Sequence, residues 1–408
     1  MKLYLRLAIR NLFRNKRRTF ITGTAIGIGL AALIWVDALM IGMEKNLIHS
    51  ATASFLGDAQ IHRDGFRETF EVEKTIGNLD GTLAKLDTEP IVERYTQRVM
   101  SFAMITSPAN VSAISMVGID PATEVDLSQI DEAIIEGKYI DGSNLRDILI
   151  GAKLAEILEV GLGDRLVMTA TEAQTGDLAQ EMFRISGIFR FRITDMDKGM
   201  VFIDLGKAQD MLGLDHGIHE IAIKFTSSEF GRDKSIPFWS NLSTDENEAF
   251  GWADILPQMA AAFELADFST YLVGLILFGV VALGIINTLF MSLYERMYEF
   301  GVMRAVGTRP FAIGRLIVFE AGALAVVSSL IGIILGLAVS IISGQIGIDY
   351  TGIEYSGVTF REPLYPVMEV SQYIKFPFWV FVFTTLVSFY PATFAAKLMP
   401  AKAMRKSL

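Results

Sequence analysis

The side chains able to do chemistry in this 408-residue sequence are few, and their spacing argues against most uses. His216 and His219 stand three apart, a separation that lets two imidazoles share a metal on one helix face. Gly217 weakens a helix between them, however, and neither a cysteine nor a third histidine is near. His62 lies in an alternating stretch, 57–66, and reads as a polar strand residue rather than a general base. Gly161 and Gly163 follow a helical pattern, where a cap and a tight turn use glycine; they do not join a strand to a helix, where a phosphate would sit. The Gly-Lys pairs at 137–138 and 206–207 lack the upstream glycine and the following hydroxyl of a nucleotide-binding loop, so this chain cannot hydrolyse ATP by itself. No nucleophile–base order, zinc-protease motif or paired carboxylate stands out. The expectation is a chain with no catalytic residue, no metal ligand and no cofactor of its own.

Two ionisable residues remain, Asp37 and Glu320, and both fall inside long apolar stretches, so the elements that carry them decide their use. With 51% hydrophobic and 20% charged residues, the chain is too apolar for an ordinary soluble protein and too charged to lie wholly in a bilayer. About 20 apolar residues cover the hydrocarbon core, and four windows qualify: 21–42, 271–293, 313–343 and 376–396. Residues 1–18 carry seven basic residues and no acid, and 397–408 carry Lys397, Lys402, Arg405 and Lys406 and no acid, which places both ends on the cytoplasmic side. The basic ends are a topology signal, not a nucleic-acid footprint. The first apolar run is too long for a cleaved signal peptide and reads as a signal anchor. The expected order is a cytoplasmic amphipathic helix, 1–18; a first span, 19–43; an extracytoplasmic domain with stalk helices at both ends, 44–265; and a second span, 266–294. There follow a short cytoplasmic helix, 295–312; a third span, 313–343; an outer loop, 344–375; a fourth span, 376–397; and a cytoplasmic tail, 398–408. Without cysteine, the outer domain must be held by its core alone.

Within that domain, strands are expected over 99–107, 111–118, 145–150, 164–169, 181–192, 200–203 and 220–225, and helices over 152–160 and 206–214. Apolar residues recur at helical spacing from Trp252 to Phe268, predicting a helix that feeds directly into the second span. Gly23, Gly27 and Gly29 in the first span, and Gly322, Gly332 and Gly336 in the third, make small-residue faces on which another helix can approach closely. Such a face serves packing within the chain or contact with a second copy or paralogue. Asp37, near the outer end of its span, reads as structural or interfacial.

The stretch 294–310 between the second and third spans is polar, and Arg296, Arg304 and Arg309 hold it on the cytoplasmic side. It resembles the coupling segment of FtsX-like permeases, whose pattern there is roughly E-R-x-x-E-x-G-V-x-R-A-x-G. Glu295, Arg296, Glu299, Gly301, Val302, Arg304, Ala305 and Gly307 match it. The N-terminal run at Ala8, Arg10, Asn11, Leu12, Arg14, Arg18 and Thr19, and the C-terminal run at Tyr390, Pro391, Ala392, Ala395, Ala396, Pro400, Ala403, Met404 and Arg405, resemble the same family. The chain departs from it at Thr393, Phe394 and Lys402, and in the proline-free link 169–180, where lipoprotein-releasing permeases carry a hook that meets a periplasmic chaperone.

The resemblance implies an α-helical inner-membrane protein with four transmembrane helices and a large α+β extracytoplasmic domain between helices one and two, the MacB-type or type VII ABC permease. It also implies that residues 295–309 couple to a cytoplasmic ABC ATPase dimer carrying ATP and Mg, and that a second permease chain, identical or not, completes the assembly. Glu320 then either pairs with an arginine such as Arg315 or takes part in coupling. The implied function is mechanotransmission, in which ATPase motion moves the outer domain, for lipoprotein release or related envelope cargo, with a periplasmic adaptor or chaperone and membrane lipid or lipoprotein as partners. MacB-like tripartite export of small molecules or peptides, and control of a periplasmic enzyme, are the alternatives.

Overall fold

A computed structural model describes residues 2–243, 246–355, 358–359 and 363–397. Arg361, Glu362 and the tail from 398, with its family matches Pro400, Ala403, Met404 and Arg405 and the departure Lys402, lie outside the described residues. The chain divides into two compact units: Met1–Glu44, Phe263–Asp349 and Pro363–Leu408 form one, Lys45–Ala262 and Tyr350–Glu362 the other.

The first unit is helical. A short helix, Lys2–Arg14, precedes four long ones at Lys16–Ala51, Pro257–Glu295, Pro310–Ile346 and Val370–Ala396, each long and apolar enough to cross a membrane. A helix satisfies its own backbone polar groups, which is what hydrocarbon demands of a spanning segment. Their packing follows the glycines. A Cβ built on Gly27 would lie 2.8 Å from Ile331 and 3.1 Å from the Ser328 carbonyl; one on Gly332 would lie 2.8 Å from Leu30 and 2.9 Å from the Gly27 carbonyl. Gly23 faces Ile331 and Ser328, and Gly336 faces Ala31 and Ile34. Gly23, Gly27, Gly332 and Gly336 thus let the first and third spans approach within this chain, whereas Gly29 looks toward Val281 of the second. Ile26, Leu30, Ile285, Leu289, Ile317 and Leu324 fill the space between the helices. Side-chain hydrogen bonds tie spans together, among them Thr22 with Thr288 at 2.9 Å, Trp35 Nε1 to Ser343 Oγ at 3.0 Å, and Gln372 Nε2 to Asp37 Oδ2 at 2.9 Å. Asp37 is therefore an acceptor for the first turn of the fourth helix.

The second unit is α/β. Its strands are β1 (Ala59–Arg63), β2 (Val92–Thr106), β3 (Val111–Ile119), β4 (Ile134–Gly137), β5 (Asp147–Gly151), β6 (Arg165–Thr171), β7 (Leu178–Phe189), β8 (Met200–Asp204), β9 (Glu220–Phe225) and β10 (Asn247–Gly251). They form one sheet in the order β10-β1-β9-β2-β3-β8-β5-β7-β4, with β6 bridging β2 and β7. Strand β2 pairs β9 along Val92–Arg98 and β6 along Ala103–Thr106, so β2, β3, β8, β5, β7 and β6 close into a ring. Its inner face carries Ile105, Ile114, Met116, Ile148, Leu166 and Phe183, all buried. A second cluster, including Val117, Leu149, Phe189 and Phe202, packs on the opposite face with Phe55.

Strand β2 begins seven residues earlier than its pattern predicts, because Glu93, Arg94 and Arg98 mask a segment held by pairing to β9. Arg98 is fully buried: its guanidinium reaches Glu124 at 2.6 and 2.9 Å and Glu220 at 2.6 Å, with the Phe55 ring centroid 3.8 Å away. The helix expected without interruption from Trp252 to Phe268 is broken. Trp252–Ile255 ends at Leu256, at φ −118° and ψ 63°, and a new helix starts at Pro257. Proline restricts the residue before it and offers no N–H, which explains the break. His62 and His219 are buried partners in the fold. The His219 Nε2–H donates to the Val72 carbonyl at 2.8 Å and its Nδ1 accepts from the Met100 N–H at 3.0 Å, which leaves neither nitrogen for a metal, while His216 is exposed. His62 Nδ1 donates to the His219 carbonyl at 3.0 Å, and Phe66 stacks between the two imidazoles.

Candidate functional site

The turn between the second and third spans is a helix in its own right. The second-span helix ends at Glu295, Arg296 leaves helical geometry at φ −108° and ψ 12°, and Met297–Ala305 coils again. It stops through Gly307, at φ +98°, with the Thr308 N–H donating back to the Met303 carbonyl at 2.9 Å. That six-to-one closure needs a residue tolerant of positive φ, which glycine supplies. Arg309 is extended and Pro310 opens the next helix, where its missing N–H costs nothing.

Charge pins this helix from behind. Arg296 is buried; its Nη1 reaches both Glu320 oxygens, at 3.0 and 3.2 Å, and its Nε reaches Glu299 at 3.1 Å. Two further pairs bring in the N-terminal elements: Arg14 to Glu299 at 2.8 Å and Arg18 to Glu295 at 2.7 Å. Burial works to raise the Glu299 carboxyl, but hydrogen bonds from Arg296 and Arg14 outweigh it and hold it below its ordinary value. The exposed pairs each contribute little. The Arg296–Glu320 pair matters more, since losing either partner strands the other away from water.

One expectation changes here. Glu320 pairs with Arg296 and not with Arg315, because residues five apart lie about 140° apart around a helix; Arg315 instead covers the Phe311 ring.

Phe300 and Gly301 are buried against the spans, and Arg304 Nη1 donates to the Thr308 carbonyl at 3.2 Å. Glu295, Glu299, Val302, Ala305, Gly307 and Arg309 face outward. Beside them stand Tyr298 and Val306, the latter 83% exposed, which the family pattern leaves unspecified. Tyr298, Val302 and Val306 repeat every four residues and form one apolar ridge; that spacing was the signal that would have found them. The turn is a braced helix with an exposed apolar ridge.

The family description "MacB-like periplasmic core domain" matches residues 19–229, and "FtsX-like permease C-terminal" matches 271–400. The chain is 21% identical to the lipoprotein-releasing system transmembrane protein LolC of Xylella fastidiosa, over 98% of each chain. It is 22% identical to LolE of Haemophilus influenzae over 93% of each. Against the periplasmic region of MacB from Actinobacillus actinomycetemcomitans, the TM-score is 0.34 at 12% identity, covering 50% of this chain and 92% of that one. With a braced turn between its second and third spans and an α/β unit between its first and second, the chain belongs to the FtsX-like permeases that carry a MacB-like periplasmic core domain, the membrane components of ABC transporters.

Proposed function

We propose that the helix Met297–Ala305 is the seat of a separate cytoplasmic ATPase, and that this permease converts ATPase closure into motion of its α/β unit outside the inner membrane, with both termini cytoplasmic. The observation that carries this is the ridge of Tyr298, Val302 and Val306, exposed on a helix that Arg296, Arg14 and Arg18 clamp to the membrane unit. An exposed apolar ridge on a short polar turn has no role in the chain's own packing. The buried Arg296–Glu320 pair behind it passes displacement onward instead of absorbing it.

ATP and Mg belong to the ATPase, and two permease chains, identical or paralogous, would receive its two copies. The cargo we favour is a lipoprotein or related envelope amphiphile, on the strength of near-full-length similarity to LolC and LolE. The test is co-purification from the native membrane with V302D/V306D beside the unaltered chain. The expected result is loss of both the bound ATPase and its stimulated hydrolysis. Full retention of both would overturn the assignment.

A further inference from the structure

The α/β unit contains a cavity of about 450 Å³ that nothing above uses. Its floor is the outward face of the sheet, with Met100, Phe102, Ser115 and Met200, and its walls include Phe70 and Met196. This size suits a small organic ligand. Methionine thioethers make an adaptable apolar lining, suited to a flexible chain more than to one rigid shape. The lining also continues outside: Phe102 and Met104 alternate on β2 and stand 63% and 51% exposed, so an apolar track leads away from the mouth.

One charged group in the wall has a donor to spare. Arg67 lines the cavity, half-buried, with its guanidinium 5.3 Å from the Phe250 ring centroid and no ion pair among the described residues. The acids near Arg67 are committed elsewhere, Glu220 to Arg98 at 2.6 Å and Asp254 to Lys234. Asp195 also lines the cavity, but it is exposed to solvent at the rim. A half-buried guanidinium in an apolar wall, without an ion pair of its own, offers charge-assisted hydrogen bonds to a ligand that brings a carboxylate or phosphate.

We propose that this cavity binds a singly acylated anionic amphiphile, its chain against Met100, Phe102, Met196 and Met200 and its anionic group on Arg67. This deepens the functional reading above, on which the word cargo rests, but the binding is read without any ATPase, so the two can fail separately.

The experiment uses the full chain in phosphatidylcholine nanodiscs with two photoreactive probes, a diazirine palmitic acid and a diazirine lysophosphatidylglycerol. After irradiation, labelled peptides are mapped by mass spectrometry. The expected result is labelling of the peptides holding Met100–Phe102 and Met196–Met200, removed by excess unlabelled probe, reduced about tenfold or more in R67Q and abolished in S115F, which fills the cavity. Labels in the membrane helices should stay unchanged. Labelling by palmitate alone identifies a fatty acid, by the lysolipid alone a phosphate headgroup, and by both the shared chemistry. The proposal is overturned if neither probe labels these peptides above the S115F level, if R67Q labels like the unaltered chain, or if an uncharged diazirine monoacylglycerol labels equally. Displacement by an apolar acidic peptide but by neither lipid overturns it as well. Near-UV circular dichroism checks the variants' folding, and either variant that keeps its native spectrum decides the question.

Discussion

At the residue scale, the pairing of Arg296 with Glu320 gives the sharpest expectation. Glu320→Gln removes the charge that Arg296 meets in a buried setting, and breaking such pairs costs about 3–5 kcal/mol. The retained contact from Glu299 at 3.1 Å puts the expected loss toward the lower end. Thermal unfolding in detergent should show the drop, while Arg315→Lys, which keeps the charge over the Phe311 ring, should leave the midpoint nearly unmoved. A second expectation concerns His62, whose pKa is pushed down to about 3, by burial first and then by the nearby Arg67 charge. The unfolded chain's histidine titrates near 6.5. Between those values the unfolded state binds the extra proton, so this histidine's contribution is complete above about pH 6.5 and is lost as pH falls toward 3. Urea unfolding of the full chain across that range should show a stability slope that His62→Gln flattens; an unchanged slope would contradict it. Most of this was hidden in the sequence. Nothing in the spacing of Arg98, Glu124 and Glu220 announces a buried cluster, because the three residues are far apart along the chain and a strand that opens with Glu93, Arg94 and Arg98 reads as surface.

At the scale of elements, the four spans and most strands were legible, since hydrophobic runs and alternation act locally. The small-residue faces were legible as faces but not in their partner, which depends on where the third span lies. Gly27→Leu or Gly332→Leu should disrupt the contact between the first and third spans, because the added side chain meets backbone and β-carbon atoms at about 3 Å. Overpacking of that kind costs about 1–3 kcal/mol or more, whereas Gly29→Ala, with only Val281 at 3.8 Å, should be tolerated. Yield of monodisperse protein and its melting midpoint would separate the two classes. The break at Leu256 was overlooked because the apolar periodicity runs on across Pro257; a proline at the first position of a helix and one interrupting a helix look alike from periodicity alone.

For the whole molecule, four apolar helices and an α/β unit between the first two were readable from hydropathy, but closure of six strands into a ring was not, since β2 divides one edge between two neighbours. Because the chain has no cysteine, single introduced thiols give a clean test of sidedness. Gln174→Cys should react with a membrane-impermeant maleimide in intact spheroplasts, and Val306→Cys only after lysis; the reverse pattern would invert the proposed orientation. The two helices that enter the α/β unit end in different ways. The first passes into a π-turn, Thr52–Leu56, whose Phe55 lies over the buried guanidinium of Arg98, while the second is interrupted at Leu256. The first helix end is thus locked to the sheet's own buried charge cluster, whereas the second carries a single residue outside helical geometry.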